Sequence, residues 1–204
     1  MSILNVLLQK ERLVVAVDTV AEDAHTGQLS EGAKILVIPQ HRAVLACRGS
    51  AQFFIKVYEL CLQASFRAGF TLEQLMSELG PVIDKIWPAY LEGAARAGIA
   101  GGGLSSEIVL GGWSPKAGRM LATAYAKNSE DGPTIVQGLE GGLASPGEPL
   151  RGRHDSFEPD ALLEAGRRQA EYLNLREGRL VAGGRLIAGL VEQKSITLLD
   201  RGAL

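Results

Sequence analysis

The sequence is poor in the residues that mark several common functional classes. Only two of its 204 residues are cysteine and three are histidine. This scarcity, together with the absence of a C-x-x-C pair, argues against a disulfide framework and against a zinc site. We therefore expect Cys47 and Cys61, which lie inside apolar runs, to be reduced and buried thiols. We expect no metal ion and no other cofactor.

Aromatic residues and net positive charge are also scarce. Aromatic residues make up 5% of the chain, and 21 Lys+Arg against 23 Asp+Glu give a net charge of −2. Since nucleic-acid-binding proteins usually have a positive field or exposed aromatic platforms, we expect no nucleic acid partner. The chain has neither a membrane-length apolar run nor a basic, apolar and cleavable leader. We therefore expect a cytoplasmic protein that has no membrane partner.

The residues that are present predict a sheet-rich protein. Hydrophobic residues make up 46% of the chain and there are 25 glycines, which suits one domain spanning residues 1–204. The Pro- and Gly-rich stretch 141–152 is expected to be a mobile surface loop. Short apolar runs that end at proline, glycine or polar residues predict strands at 13–18, 34–38, 43–47, 107–111, 120–126, 134–136, 180–182, 186–191 and 196–199.

Apolar residues spaced by three and four positions predict three helices. One spans Ala51 to Ala68, and a capping box of Thr71 and Gln74 begins the second. We expect that helix to break near Gly80-Pro81, because proline removes a backbone donor and clashes with the preceding turn. Pro159 suits the first turn of the third helix. Helices between blocks of mostly antiparallel strands predict a layered sandwich with the helices outside and the sheets inside.

Three residues in the first part of the chain could form a reactive site. Removal of Met1 would leave Ser2 with a hydroxyl and a free α-amine, which are a nucleophile and a base in one residue. Asp18 ends the first long strand, where a buried carboxylate needs a cationic partner. Lys34 begins the next apolar run, and its ammonium group would pair with such a carboxylate. That ammonium would also lower the pKa of the Ser2 hydroxyl and keep the α-amine neutral.

The arrangement resembles the proteasome β-subunit superfamily of N-terminal nucleophile hydrolases, of the bacterial proteasome-homologue type. In that family an N-terminal threonine precedes an aspartate by sixteen residues and a lysine by thirty-two. The same intervals separate Ser2 from Asp18 and Ser2 from Lys34. The turn Cys47-Arg48-Gly49-Ser50 and the two helices after it also match. The resemblance covers nearly the whole chain in element order, and it is specific over residues 2–49.

The resemblance implies a fold, an activity and partners. The fold is α+β, an αββα sandwich in which two mostly antiparallel sheets lie between helical layers. The activity is peptide-bond hydrolysis, with Ser2 as nucleophile, Lys34 and Asp18 tuning it, and the Gly49 N–H stabilising the oxyanion. The substrate would be a peptide or an unfolded protein. Copies of the chain would form a homo-oligomeric ring or spiral, with an ATP-dependent unfoldase as a further partner.

The sequence departs from the family pattern at three points. Serine replaces the usual threonine and lacks the methyl group that restricts the rotamer. The family's Gly-Ser-Gly before its third helix corresponds to residues 138–142, which contain no serine. Its late Asp-x-x-Ser-Gly-Gly corresponds to residues 179–184, which keep only the two glycines. Two alternatives to a peptidase therefore stay open: a non-catalytic scaffold or assembly protein of this fold, and an amidase of small substrates.

Overall fold

A computed structural model describes residues 2–99, 104–127, 132–152 and 155–204 of the protein. No helix in these ranges is both long enough and apolar enough to cross a membrane. The helices of these ranges are α1 (Ala51–Ala64), α2 (Leu72–Arg96) and α3 (Pro159–Glu177). The strands are β1 (Leu4–Leu8), β2 (Arg12–Asp18), β3 (Val20–Glu22), β4 (Leu29–Glu31), β5 (Ile35–Ile38), β6 (Ala43–Gly49), β7 (Ser106–Ser114), β8 (Arg119–Lys127), β9 (Ile135–Gly138), β10 (Leu143–Ser145), β11 (Arg185–Glu192) and β12 (Ile196–Ala203).

Two five-stranded antiparallel sheets lie face to face between the helices. The first has the order β10-β1-β2-β11-β12 and the second the order β5-β6-β7-β8-β9. An apolar cluster that includes Val15 and Ala46 fills the space between the sheets. Phe53 of α1 and Trp87 of α2 pack on the outer face of the second sheet, and Leu162 of α3 packs on the first. The prediction of an α+β sandwich with helices outside and sheets inside is confirmed.

Strand β2 shows why the sequence folds this way near the site. Its run from Leu13 to Val17 is buried on both faces, because α3 covers one face and the second sheet covers the other. A strand covered on both sides reads as a continuous apolar run instead of an alternating one. The run ends at Asp18, a fully buried residue. The strand therefore places the Asp18 carboxylate at one end of the sandwich.

Helix α2 continues without a break through Pro81 and Pro88, so the predicted break near Gly80-Pro81 is wrong. The capping box of Thr71 and Gln74 is confirmed at its first turn. An internal proline costs about 3 kcal/mol, whereas each large apolar side chain that the helix buries, such as Trp87, contributes about 1.5–3 kcal/mol. Packing of the long apolar face on the second sheet therefore outweighs the local preference of proline.

Residues 180–182 form a loop instead of the predicted strand. The Asn174 side-chain oxygen accepts hydrogen bonds from the N–H groups of Val181 and Ala182 at 2.8 and 3.1 Å. The Asn174 amide donates to the Ala182 carbonyl at 3.0 Å. A side chain of α3 thus satisfies backbone groups that a neighbouring strand would otherwise satisfy. Val181 and Ala182 are apolar because they are buried under α3, and not because they pair in a strand.

The stretch 141–152, predicted to be a mobile surface loop, is not a loop throughout. It contains β10, which pairs with β1 so that Ser145 lies opposite Leu4. The side chains of Asn5 and Gln169 exchange two hydrogen bonds, and Gln169 also donates to the Pro146 carbonyl at 2.8 Å. Because these buried amides need partners, they anchor the stretch between β1 and α3.

Candidate active site

The first three predicted site residues come from strand ends that meet at one end of the two sheets. Ser2 precedes β1, and Asp18 ends the antiparallel neighbour β2. The Ile3 N–H donates to Asp18 Oδ1 at 2.9 Å, which holds the start of β1 against the end of β2. Lys34 precedes β5 of the other sheet, where its carbonyl accepts a hydrogen bond from the Cys47 N–H at 2.9 Å. The site therefore lies where the two sheets come together.

Ser2, Asp18 and Lys34 are in direct contact. Lys34 Nζ donates to Ser2 Oγ and to Asp18 Oδ1, in each case at 2.8 Å. The three residues are 4%, 0% and 5% exposed. A buried ion pair persists only when its remaining hydrogen-bonding positions are filled, and Asp18 Oδ2 accepts a further hydrogen bond from the Gly183 N–H at 3.2 Å. The cation at Ser2 Oγ favours a negatively charged oxygen over a neutral hydroxyl.

Gly49, the fourth predicted site residue, lies at the same end of the second sheet. Its φ is +110°, and a Cβ there would overlap the Ser105 carbonyl oxygen, so the position requires glycine. The Cys47 N–H points toward β5. Since alternate residues of an antiparallel strand point their N–H groups the same way, the Gly49 N–H points to that side also. Ile35 is the first residue of β5 that pairs with β6, so this N–H points past the strand end.

A cleft of about 750 Å³ opens on this group. Its volume lies within the range of about 300–1,000 Å³ that is common for ligand-binding clefts. Ser2, Lys34 and Gly49 are part of its wall. In the described part of the chain, no group of three or more His, Cys, Asp or Glu side chains is arranged to hold a metal ion. The other walls come from β3, the start of α1, α2 and β7, through residues such as Ala21, Ala51, Tyr90 and Glu107.

Three residues near Ser2 were not predicted from the sequence: Arg48, which contacts Ser2, and its partners Ser145 and Glu107. Arg48 Nε donates to the Ser2 carbonyl oxygen at 2.8 Å. Arg48 Nη1 donates to Ser145 Oγ at 2.7 Å and lies 3.3 Å from Glu107 Oε2. The sequence did contain a signal for Arg48. Val44 and Ala46 of the same strand face the other sheet, and alternate positions of a strand share a face, so position 48 continues that row. A charged residue in such a row needs a partner.

Ser145 was missed because the family's Gly-Ser-Gly was placed at residues 138–142. Strand β10 pairs with β1, and this pairing brings Ser145, the last residue of β10, beside the site. A serine from outside residues 138–142 therefore lies next to Arg48. The sequence offered no local signal for it, since the pairing depends on contacts between distant segments.

The loop 179–184 lacks the polar side chains of the family pattern but still contacts the site through its backbone. The Gly183 N–H donates to Asp18, and the Gly183 carbonyl accepts from the N–H groups of Thr19 and Val20 at 3.3 Å each. Arg179 points elsewhere and pairs with Glu22 at 2.7 Å on the surface. Backbone groups thus satisfy part of the site without the missing polar side chains.

The thiol of Cys47 also lines the cleft but is a poor nucleophile. Cys47 and Cys61 are both free and buried, as expected. Burial, only partly offset by the nearby Lys34 ammonium, raises the pKa of the Cys47 thiol to about 12. Burial likewise raises the pKa of the Cys61 thiol to about 12. The thiolate, which is the reactive form, is therefore rare near neutral pH.

We predict that iodoacetamide at pH 8 leaves both cysteines of the folded protein unmodified. With a pKa of about 12, roughly one thiol in ten thousand is ionised at that pH. Both cysteines should react within the same time in urea, where the pKa returns to its ordinary value. Peptide mapping by mass spectrometry measures the extent at each position. Rapid alkylation of Cys47 in the folded protein would contradict the assignment.

We predict that Asp18→Asn lowers the free energy of unfolding by about 3–5 kcal/mol at pH 7, because it leaves the Lys34 ammonium buried without a counter-charge. The double variant Asp18→Asn/Lys34→Met removes both charges and should recover part of that loss. Urea unfolding measures both. A double variant that is less stable than Asp18→Asn alone would show that charge burial is not the cause.

Comparisons with known proteins found similar solved structures, whereas no protein-family model and no curated protein matches the chain. One is Anbu (ancestral beta-subunit) from Yersinia bercovieri, with 12% identity and a TM-score of 0.66, covering 98% of this chain and 87% of that chain. Another is an Anbu (Gly-1) mutant from Hyphomicrobium sp. strain MC1, with 14% identity and a TM-score of 0.66, covering 99% of this chain and 88% of that chain.

These structures correct the family suggested by the sequence. The similarity is to Anbu proteins, which are proteasome-like but form a distinct family, so the identification with bacterial proteasome homologues is wrong. At identities of 12% and 14% the likeness concerns the fold alone. The chain has the α+β fold of N-terminal nucleophile hydrolases, in a form similar to the Anbu structures.

Proposed function

We propose that this protein hydrolyses peptide bonds with Ser2 as an N-terminal nucleophile after removal of Met1, a residue outside the described ranges. The observation that carries the proposal is the contact of Ser2 Oγ with Lys34 Nζ at 2.8 Å, with Lys34 paired to the buried Asp18. The group opens on a cleft that has room for several residues of a peptide. An α-amine at Ser2 would complete a nucleophile and its base within one residue.

The first half of the reaction forms an ester on Ser2. Ser2 Oγ attacks the scissile carbonyl carbon while the neutral α-amine accepts the hydroxyl proton. The Lys34 ammonium stabilises the negative charge that develops on Oγ, and Asp18 holds that ammonium in place through its ion pair. The Gly49 N–H donates to the oxyanion of the tetrahedral intermediate. When the carbon–nitrogen bond breaks, the proton passes from the α-amine to the leaving amine.

The second half releases the acyl group. A water molecule attacks the ester carbonyl, and the α-amine, now neutral again, accepts a proton from it. Collapse of the second tetrahedral intermediate breaks the ester bond and returns the proton to Ser2 Oγ. The product is a carboxylic acid, and the site is restored. Because the same amine acts as base and acid in turn, activity requires an ordinary α-amine pKa near or below about 8.

We predict that an epoxyketone or a β-lactone labels one site per chain in protein whose intact mass shows that Met1 is gone. Ser2→Ala should abolish labelling, and Lys34→Met should slow it by about 100-fold or more, because the developing charge on Oγ loses its cation. The rate should rise with pH as the α-amine loses its proton. Intact mass and peptide mapping measure the extent and the position of the label.

A matched control separates this mechanism from an ordinary serine nucleophile. A chain that keeps one extra residue ahead of Ser2 retains the hydroxyl but has no α-amine at that residue, so it should not be labelled. Equal labelling of that chain would show that the amine is not the base. Label that persists in Ser2→Ala would refute the nucleophile. Retention of Met1 in the purified protein would favour the non-catalytic scaffold.

We also propose that copies of the chain associate with one another. The similar Anbu structure from Yersinia bercovieri is described as an ancestral beta-subunit. The edge strand β9 of this chain presents Ile135 and Val136, which are 61% and 52% exposed, and has no charged residue. Exposed apolar edges of this kind favour pairing with another chain. Light scattering over a range of concentrations should give a mass several times that of one chain, and a monomer mass throughout would contradict association.

A further inference from the structure

The peptide group between Ser2 and Ile3 is held at both edges. Its carbonyl oxygen accepts a hydrogen bond from Arg48 Nε at 2.8 Å, and its N–H donates to Asp18 Oδ1 at 2.9 Å. A trans peptide group is planar, with its carbonyl and N–H on opposite edges. Two hydrogen bonds on opposite edges therefore fix the plane, and with it the Cα of Ser2.

Arg48 is itself held by two side chains from different parts of the fold. Its Nη1 contacts Ser145 Oγ and Glu107 Oε2, and Ser145 Oγ donates to Glu107 Oε2 at 2.7 Å. Arg48 and Glu107 are direct cross-strand partners in β6 and β7, so their side chains lie on the same face. Ser145 comes from β10 of the other sheet. The guanidinium group thus connects both sheets to the Ser2 backbone.

A fixed backbone matters more for serine than for threonine. The serine hydroxyl has three staggered positions about χ1, and no γ-methyl group favours one of them. Lys34 holds Ser2 Oγ in one position, but only if the Cα to which the side chain is attached stays in place. Reacting atoms must be held about 3–3.5 Å apart, and small displacements cost large factors in rate.

We propose that Arg48 is a positioning residue, whose guanidinium group, held by Glu107 and Ser145, fixes the Ser2 backbone so that Ser2 Oγ stays on Lys34 Nζ. This inference rests on the proposed role of Ser2. Arg48 acts through the Ser2 carbonyl and does not contact Oγ in this arrangement. A guanidinium group suits the task because its fixed fork of donors serves the carbonyl, the hydroxyl and the carboxylate at the same time.

The first test separates positioning from ligand binding by measuring kinact and KI for inactivation by the epoxyketone. Arg48→Met should lower kinact by about 10- to 100-fold, the size expected for loss of a charged hydrogen bond that orients a reacting group. KI should change by less than about threefold. Arg48→Lys should restore only part of kinact, since an ammonium group lacks the planar fork. A change confined to KI would make Arg48 a ligand-binding residue and overturn the proposal.

A matched control lies at the other end of β6. Arg42 Nη1 also donates to a backbone carbonyl, that of Gln193, at 3.2 Å. Arg42→Met therefore removes the same kind of hydrogen bond away from Ser2 and should leave kinact unchanged. If Arg48→Met does not fold, Glu107→Gln and Ser145→Ala replace it. Each should lower kinact by a smaller factor, because each removes one support of the guanidinium group.

The second test does not depend on activity. Labelling serine with carbonyl ¹³C and isoleucine with ¹⁵N selects only the Ser2–Ile3 and Ser195–Ile196 peptide groups, the two Ser-Ile pairs of the sequence. Arg48→Met should shift the NMR signal of Ser2–Ile3 and leave that of Ser195–Ile196 in place as an internal reference. An unchanged Ser2–Ile3 signal would overturn the contact. A shifted signal with unchanged kinact would overturn the positioning role.

The two tests also distinguish failure of this inference from failure of the proposed function. If protein with a free Ser2 is not labelled by any electrophile, the nucleophilic role of Ser2 fails. The NMR signal then tests the contact of Arg48 with the Ser2 carbonyl, on which this inference depends: a shift in Arg48→Met supports that contact, and no shift refutes the inference.

Discussion

The buried ion pair of Asp18 and Lys34 is the constraint on which this end of the structure depends. A carboxylate without solvent contact stays ionised only if donors surround it. Asp18 obtains them from the Lys34 side chain and from the N–H groups of Ile3 and Gly183. Asp18 itself ends β2, and the three donors Ile3, Lys34 and Gly183 lie just before β1, β5 and β11. One carboxylate therefore fixes four segments and both sheets relative to one another, and Ser2 lies where they meet.

Backbone N–H groups donate several of the hydrogen bonds at this site. The Gly183 N–H reaches Asp18 from a loop without polar side chains at the site, and Gly49 lies at a position where no Cβ fits. Every non-proline residue has a backbone N–H, so such a donor depends on the path of the backbone and not on which side chain is present. Since the likeness to structures with 12% and 14% identity concerns the fold alone, function has to be argued from the site and not from the fold.

Much of the framework and the centre of the site could be predicted from the sequence. The apolar run of β2, the capping box of α2 and the order of strands and helices depend on residues close together in the chain. Local preference and periodicity encode such elements directly. The interval from Ser2 to Asp18 spans β1 and β2, and the interval from Ser2 to Lys34 spans β1 to β4. These intervals, with charged residues at the ends of two apolar runs, were enough to predict the contact of the three residues.

Only the tertiary structure decided the remainder. Arg48 and Ser145 are 97 positions apart, and Ser145 and Glu107 are 38 apart, so no local pattern joins them. Their meeting depends on the register of β10 against β1 and on how the two sheets face one another. Packing of α2 on the second sheet likewise explains why the helix continues through Pro81 and Pro88. The sequence by itself determined local elements such as β2 and the start of α2, and it placed Asp18 and Lys34 at the ends of apolar runs. The contacts between distant segments decided how Ser2 is held, because burial and sheet register are properties of the whole chain.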